Sequence, residues 1–530
     1  MKNRIKQYLL AASMCVGLTA CSDFFEPIPG VQFGLDETFA SKQRTEEYLN
    51  NVYSYVREVT DAIHPNTYGG IFTEASLDGA NRWNKTYAEW TNGSFNSASA
   101  QASEYFSKYY QAIAKASTFI QNVDKCTEAA ASTRGKWKSE ARALRAYYYF
   151  ELLRLYGPIP LIGEDPIPLD ASLEELIKER NSVDECVNFI ATELQSAIDS
   201  GDLLQRAGKA NLGRMDVATC MALKAKLYLY WASPLFNGNT DQASVKNKDG
   251  KQLFPQTEDY SKWAQARDAY ERFMTFATGQ GYKLTEVYTN GKLDPYASCR
   301  AAGEFFTTTW EAVDELIFVK LRDLYDYTYW VCPKFTDFQD TDVTGGGGYY
   351  TTQETVDLFF TKDGLTIEED TGYDKFEGIP GANNFTSGRY YDPNNPSRLY
   401  FDADKSKVLK QWKDREPRFY VNITYSGSIW LNEGKYNEEM RTDFTNGANG
   451  TCGKSKASGD CPDSGYLIRR GAKASNNNGS KHFSPVLRLA DMYLGYAEAL
   501  CMCSDLDNAL TYLNKIRVLS LIHISEPTRH

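Results

Sequence analysis

The sequence predicts a mainly α-helical fold in which paired helices hold a large, irregular, loop-rich region. Apolar residues recur at spacings of three and four in several separate segments, which is the pattern of amphipathic helices. Glycine, proline, asparagine and aspartate are concentrated between them, roughly over residues 78–100, 235–260, 278–300 and 322–480. These stretches are also rich in tyrosine and tryptophan, which argues against plain disorder.

The first 20 residues have the pattern of a targeting segment. Lys2, Arg4 and Lys6 precede a short apolar run over residues 8–16, which is too short to span a bilayer as a stable helix. Small residues then precede Cys21, as a lipoprotein signal peptidase requires. We therefore expect a signal peptide over residues 1–20 and a lipid anchor on Cys21. The alternative is a plain secretory signal with an incidental cysteine.

Helical periodicity is clear in five segments of the first half of the chain. The predicted helices cover residues 101–125, 139–155, 173–199, 215–232 and 263–276. In the second of them, Ala141, Leu144 and Tyr148 lie on one face, and Gly157 with Pro158 ends the helix.

The C-terminal part predicts a pair of helices with a tight connection. Ser484 is the expected N-cap and Pro485 the first helical position of a helix that runs to Leu500. After a short link, Asp505 is expected to cap a second apolar stripe from Leu506 to Ile516. Such an antiparallel hairpin is typical of tetratricopeptide-like repeats, although the full consensus is absent.

Composition argues against several function classes. The net charge of −11 disfavours nucleic acid as a partner, because an acidic surface repels phosphates. Four scattered histidines give no zinc motif, and we expect no metal and no cofactor. Acidic turns at Asp392 and at Asp402 do not match a calcium loop and are expected to be surface turns. Cys452 and Cys461 could close a loop disulfide or be ordinary buried thiols.

Enzyme motifs are also weak. The glycine-rich stretch 447–455 is one residue too long for a P-loop, and Gly345–Gly348 is expected to be a flexible loop. A glycosidase needs only two facing carboxylates, so with 69 acidic residues that alternative stays open.

Two aromatic clusters in polar, loop-rich surroundings are the candidate binding residues. Stacking rings together with amide and guanidinium groups are suited to the apolar faces and hydroxyls of sugars. The first cluster, in residues 78–90, supplies Trp83 and Trp90 with Asn81 and Arg82 beside them. The second, in residues 322–330, supplies Trp330 and, as weaker candidates, Tyr325 and Tyr329. The alternative is that some of these rings pack their loops onto the scaffold.

Four blocks of the sequence form a recognisable series. The first is residues 139–161, and the second begins at Gly213-Arg214-Met215. The third is residues 416–419, and the fourth runs from Ser484 to Leu500 and on to residues 513–517. In this order the blocks resemble the SusD/RagB family of nutrient-binding outer-membrane lipoproteins of Bacteroidetes, and the series is more specific than any one motif.

The resemblance implies a SusD-like α-α superhelix with a large irregular ligand-binding region and no enzymatic activity. It implies glycan binding for carbohydrate uptake, a SusC-like TonB-dependent transporter as partner, and an outer-membrane position facing the cell exterior. The alternatives are a peptide-binding family member, a surface glycoside hydrolase, or a helical-repeat adaptor that binds only protein. We expect the nutrient-binding domain to cover residues 21–517 and to be truncated, with residues 518–530 as a non-native tail.

Overall fold

The computed structural model describes most of the chain between residues 34 and 519. The described residues are 34–56, 76, 79–81, 93–163, 171–303, 314–322, 331–335, 345–376, 378–430, 441–444, 452–453, 460–470, 472 and 482–519. The expected signal peptide, Cys21 and the tail from residue 520 onward lie outside them.

The scaffold consists of helices that lie mainly in the first 303 residues and in the last 31 described ones. In chain order they are α1 (Leu35–Ala40), α2 (Lys42–Ser54), α3 (Ala100–Asn122), α4 (Ala131–Tyr156), α5 (Leu173–Leu176), α6 (Val183–Asp199), α7 (Val217–Ala232), α8 (Ser261–Gly279), α9 (Pro295–Gly303), α10 (Gln353–Asp357), α11 (Pro417–Asn422), α12 (Leu489–Met502) and α13 (Leu506–Val518). The mainly α-helical prediction is confirmed.

Four of the five helices predicted in the first half form much as expected, and the fifth is split. Residues 173–199 were expected as one helix but form α5 and α6 with an extended segment between them. A capping box explains the break, because the Ser182 hydroxyl accepts from the Glu185 backbone N–H while the Glu185 carboxylate accepts from Ser182 N–H. The Asn181 backbone N–H is bonded to Ile159 O, which holds the segment away from the helix axis.

Successive helices pack on one another around a common apolar core. Helix α3 packs on α4, α4 on α6, α6 on α7, α7 on α8, α8 on α12, and α12 on α13. Helix α8 therefore contacts α12 although some 200 residues separate them in the chain, so the intervening loop-rich region is an insertion in a continuous helical stack. Inside this stack, Arg145 forms a buried ion pair with Glu193 and also donates to the Ser117 hydroxyl.

The start of the C-terminal hairpin differs from the prediction. Ser484 and Pro485 do not begin a helix but lie in a strand, and helix α12 starts only at Leu489. The strand pairs with residues 316–322, and this tertiary ladder overrides the local capping signal. The second half of the prediction is confirmed in position: Asp505 is the N-cap residue of α13, although its side chain forms no capping hydrogen bond.

Short strands lie in the insertion between α8 and α12, except the first of them, which comes before it in the chain. They are β1 (Ala80–Asn81), β2 (Tyr288–Thr289), β3 (Lys292–Leu293), β4 (Leu316–Arg322), β5 (Tyr349–Tyr350), β6 (Arg389–Asp392), β7 (Asn395–Asp402), β8 (Ile423–Thr424), β9 (Leu467–Ile468) and β10 (His482–Arg488). Four of them form a sheet in the order β1-β5-β9-β8, and the others form the pairs β2-β3, β4-β10 and β6-β7.

The insertion also has an aromatic core of its own, separate from that of the helices. Tyr400 and Tyr420 stack with ring centroids 3.9 Å apart, and Trp412 lies 4.9 Å from Tyr425. Many of the tyrosines that the sequence assigns to irregular stretches are therefore structural. Among the described residues, no helix is both long and apolar enough to cross a lipid bilayer.

Candidate functional site

The predicted binding residues lie almost entirely outside the described residues. This is true of Arg82, Trp83 and Trp90 in the first cluster and of Tyr325, Tyr329 and Trp330 in the second. Only Asn81 is described, as the last residue of β1. The structure does describe the backbone at the start of the first cluster and on both sides of the second.

The first cluster leaves from an edge of the four-stranded sheet. Strand β1 pairs antiparallel with β5, so that Ala80 lies opposite Tyr350 and Asn81 opposite Tyr349. Strand β5 in turn pairs with β9 through Tyr350 and Leu467. The chain that carries Trp83 and Trp90 therefore starts at a fixed strand end.

The second cluster ends next to the same strand pair. Val331 and Cys332, which follow Trp330, are buried. The Cys332 carbonyl accepts a hydrogen bond of 2.9 Å from the Gly347 backbone N–H, and the Pro333 carbonyl accepts one of the same length from Gly345. Gly347 is two residues before Tyr349, the partner of Asn81. Backbone hydrogen bonds thus connect the end of one cluster to the start of the other.

The run Gly345–Gly348 is not the flexible loop that the sequence suggested. All four glycines are buried, and two of them donate the hydrogen bonds just described. Gly347 has φ +56, and a Cβ there would lie 2.9 Å from the carbonyl oxygen of Asp460. Lys334 forms an ion pair with the Asp460 side chain. Gly347 is glycine because its φ is positive and two other segments, at Asp460 and Lys334, approach its backbone closely.

The start of the second cluster is attached to the helical scaffold. Strand β4 pairs with β10, which leads directly into α12. The Thr219 hydroxyl of α7 donates to Ile317 O, and the Phe318 ring contacts Tyr147 of α4. The Leu489 backbone N–H donates to Glu315 O, and Arg488 pairs with the Glu315 carboxylate at 3.0 Å. Residues 323–330 therefore lie between two firmly held ends.

A buried ion cluster joins two parts of the insertion. Arg398 of β7 contacts the carboxylates of Asp294, at 2.9 Å, and Asp392, at 2.5 Å. Burial alone would raise the pKa of Asp294, but hydrogen bonds from Arg398, Ala297 N–H and Thr289 outweigh it and hold this pKa below its usual value. The guanidinium also lies 4.2 Å from the Tyr296 ring centre.

This cluster corrects the expectation that the acidic turns near Asp392 and Asp402 lie on the surface. Both aspartates are buried, because each pairs with an arginine of the β6-β7 hairpin. Asp392 contacts Arg398, and Asp402 contacts Arg389 at 3.1 Å. The described residues contain no group of three or more histidine, cysteine or acidic side chains that could hold a metal ion.

The short stretch from Arg415 to Phe419 is also structural. Pro417 is at the first turn of α11, and burial raises the pKa of Glu416 even though Arg418 pairs with its carboxylate at 2.9 Å. Arg415 is buried and donates to the carbonyls of Val356 and Phe359. These contacts fasten α11 to the chain beside α10.

Sequence reasoning missed one group of residues beside the sheet. Arg469 follows β9 and is nearly buried, with its guanidinium carbon 5.6 Å from the centre of the Trp430 ring. The Trp430 ring also contacts Phe335, five residues after Trp330. No sequence signal distinguishes Arg469 from its neighbour Arg470, since its burial depends on strands that are distant in sequence.

The fold and this site define a class of protein: a helical-repeat scaffold with an inserted region, in which strand pairing and backbone hydrogen bonds bring together the chain ends of two aromatic segments. Two family sequence profiles match the chain. The profile described as "SusD family" matches residues 315–518, and that described as "Starch-binding associating with outer membrane" matches residues 32–229. The chain belongs to the SusD/RagB family.

Individual relatives agree with this assignment. A SusD-like protein of Bacteroides ovatus is 27% identical over 175 residues, which are 32% of this chain and only 30% of that relative. Among solved structures, BT4246 superposes with a TM-score of 0.71 at 23% identity, covering 92% of this chain and 84% of that one. A SusD-like carbohydrate-binding protein of Bacteroides fragilis has a TM-score of 0.59 at 18% identity, with coverages of 92% and 81%. At these identities the structural matches establish the shared fold.

Proposed function

We propose that this protein captures oligosaccharides or polysaccharides at the cell surface and delivers them to a SusC-like TonB-dependent transporter. It binds the glycan without cleaving it. A lipid on Cys21 anchors it in the outer membrane, facing the exterior. Family membership supports the glycan-binding part, and so does the Bacteroides fragilis structure, which is that of a carbohydrate-binding protein with the same fold.

One observation carries the proposal for this chain. The paired residues Asn81 and Tyr349, together with the hydrogen bond from Gly347 to Cys332, bring the chain ends of both aromatic clusters to one side of the insertion. A polysaccharide offers successive sugar faces along its length, so rings on neighbouring segments can stack on one chain. Trp83, Trp90 and Trp330 are the proposed stacking residues. Tyr325 and Tyr329 add ring surface, and Asn81 and Arg82 bind hydroxyls.

A panel of polysaccharides in native affinity gels tests this function. The mature protein is expected to be retarded by one class of polysaccharide, and a Trp83/Trp90/Trp330→Ala triple variant is expected to run as in a gel without polysaccharide. Tyr260→Ala is the matched control, because this ring is exposed beside helix α8, outside the insertion site. If wild type and triple variant are retarded equally, the aromatic site is wrong.

Two further measurements separate the proposal from its rivals. Release of reducing sugar from the retained polysaccharide by purified protein would indicate the glycoside hydrolase instead. Retention of peptides but of no glycan would indicate the peptide-binding alternative. Co-purification of the lipidated protein with a TonB-dependent transporter from outer membranes tests the partner.

A further inference from the structure

Arg469 is a buried cation for which the described residues supply no anion. It is only 7% exposed. Among the described residues, no carboxylate and no hydrogen-bond acceptor contacts its guanidinium, and its Nε–H is fully enclosed without a partner. Burying an arginine in this way costs stability unless something compensates the charge. The two terminal nitrogens are not among the enclosed unpartnered atoms, so they are not fully enclosed.

Further polar groups without partners surround the guanidinium. The Trp430 indole N–H and the Tyr425 hydroxyl are both enclosed with no acceptor. Burial lowers the pKa of Arg469, and Tyr425 lies close enough to oppose that effect. On the neighbouring strand region, whose Asn422 carbonyl accepts from the Arg469 backbone N–H, Asn422 Oδ1 and the Thr424 hydroxyl are also enclosed without partners. Natural proteins contain few such groups, and a bound ligand or water usually accounts for them.

The surroundings of Arg469 are positively charged although the whole chain carries −11. Arg300 lies close enough to lower the pKa of Arg469 further, and Arg470 acts on the thiol of Cys299 next to Arg300. Among the residues that the structure describes around Cys299, the Glu416 carboxylate is already paired with Arg418, and Arg488 is paired with Glu315. This part of the molecule therefore favours an anion in an otherwise acidic protein.

The position of Arg469 relates it to the proposed glycan site. It directly follows β9, which pairs with β5, and β5 pairs with the strand that ends at Asn81. The Trp430 ring under its guanidinium lies 6.4 Å from the ring of Phe335, which belongs to the segment that follows Trp330. Arg469 therefore lies close to the strands and the Phe335 ring that adjoin the chain ends of both aromatic segments.

We propose that Arg469 forms an anion subsite of the glycan site, so that the preferred glycan is acidic and carries carboxylate or sulfate groups. This inference rests on the proposed function and specifies its ligand class. The guanidinium offers its two terminal nitrogens to the acidic group, and the Trp430 and Tyr425 donors add positive potential beside it.

Affinity gels with four polysaccharides test the inference. Polygalacturonate carries only carboxylates, carrageenan carries only sulfates, and amylopectin and galactan are neutral. The proteins are wild type, Arg469→Gln, Trp430→Phe, and Arg267→Gln as a control. Arg267 is a surface residue of α8 that is paired with Asp268. Trp430→Phe keeps the ring but removes the indole N–H.

Wild type is expected to bind an acidic polysaccharide more tightly than either neutral one, and added salt should weaken this binding. Arg469→Gln should lose about tenfold or more in affinity for it, as expected for a charge-assisted hydrogen bond. Trp430→Phe should lose less, and Arg267→Gln nothing. Arg469→Gln should also have an unchanged or higher melting temperature, because the substitution removes an uncompensated buried charge. If Arg469 instead stabilised the fold, the substitution would lower the melting temperature.

The possible negative results distinguish a failure of the acidic subsite from a failure of the proposed capture function. Retention by neutral polysaccharides alone, equal in wild type and Arg469→Gln, overturns the acidic subsite and leaves the capture function standing. Equal retention of both proteins by an acidic polysaccharide also overturns it, because the acid is then recognised elsewhere. Retention by none of the four, nor by any glycan of the wider panel, contradicts the capture function and this inference with it.

Discussion

Gly347 donates its backbone N–H at 2.9 Å to the carbonyl oxygen of Cys332, which lies two residues after Trp330 of the second aromatic segment. From Gly347 the chain reaches Tyr349 two residues later, opposite Asn81, where the first segment begins. The chain ends of the two segments are therefore connected through the backbone of a glycine.

Gly347→Ala is expected to weaken glycan binding and to lower the free energy of unfolding by about 1–3 kcal/mol. The new Cβ would lie 2.9 Å from Asp460 O, and φ +56 is unfavourable for alanine. Chemical denaturation and affinity gels measure the two effects. Gly163→Ala is the control, because no atom lies within 4 Å of its Cβ position. Full affinity in Gly347→Ala would show that the bond does not position the site.

Arg398→Met should destabilise the insertion by about 3–5 kcal/mol at pH 7, because it leaves two buried carboxylates, Asp294 and Asp392, without their cation. In the wild type the pKa of Asp294 is lowered, so its contribution is complete above the ordinary carboxyl pKa and is lost as the pH falls below it. In the variant the buried acids favour protonation, so the stability difference from wild type should narrow between pH 7 and pH 5.

Urea denaturation at several pH values measures this dependence. Arg267→Met, which breaks an exposed pair with Asp268, should change stability by no more than about 0.5 kcal/mol at any of these pH values. If the difference in free energy of unfolding between wild type and Arg398→Met stays constant from pH 7 to pH 5, Asp294 and Asp392 are not the buried, charged partners of Arg398.

Gly495→Ala should lower the melting temperature by overpacking the contact between α12 and α8. An alanine Cβ at this position would lie 2.6 Å from the Tyr270 ring carbon that carries the hydroxyl, in a fully buried setting. Such overpacking typically costs about 1–3 kcal/mol. Gly279→Ala, at the end of α8 with open space around it, should leave the melting temperature unchanged or raise it. Equal melting temperatures would mean that the two helices adjust without cost.

The lipid anchor predicts that Cys21→Ala abolishes incorporation of labelled palmitate when the chain is expressed in a host that processes lipoproteins. Cys15→Ala is the matched control, because this cysteine lies within the predicted signal peptide and should leave labelling intact. Labelling of Cys21→Ala would place the lipid elsewhere. Release of unlabelled wild-type protein into the medium would favour the plain secretory signal.

Local sequence signals predicted the helices because their apolar stripes and caps lie within one segment. Asp505 is an N-cap as expected, whereas Ser484 and Pro485 have the same kind of signal but pair as a strand with residues some 165 positions earlier. The glycine run, the burial of Asp392 and Asp402, and the orphan Arg469 also escaped prediction. The glycine run and Arg469 depend on contacts between residues that are distant in sequence, and the two aspartates depend on the folding of the β6-β7 hairpin, none of which periodicity and spacing encode.

The most direct test of a shared glycan site measures how much each aromatic segment contributes to the binding of one polysaccharide. Affinity gels would measure the dissociation constants of wild type, Trp83/Trp90→Ala, Trp330→Ala and the Tyr260→Ala control. If both segments contribute to one site, Trp83/Trp90→Ala and Trp330→Ala each lose most of the affinity for the same polysaccharide, while Tyr260→Ala binds as wild type does. If either of the two tryptophan variants keeps wild-type affinity, or if no polysaccharide retards the wild type, the shared glycan site is contradicted.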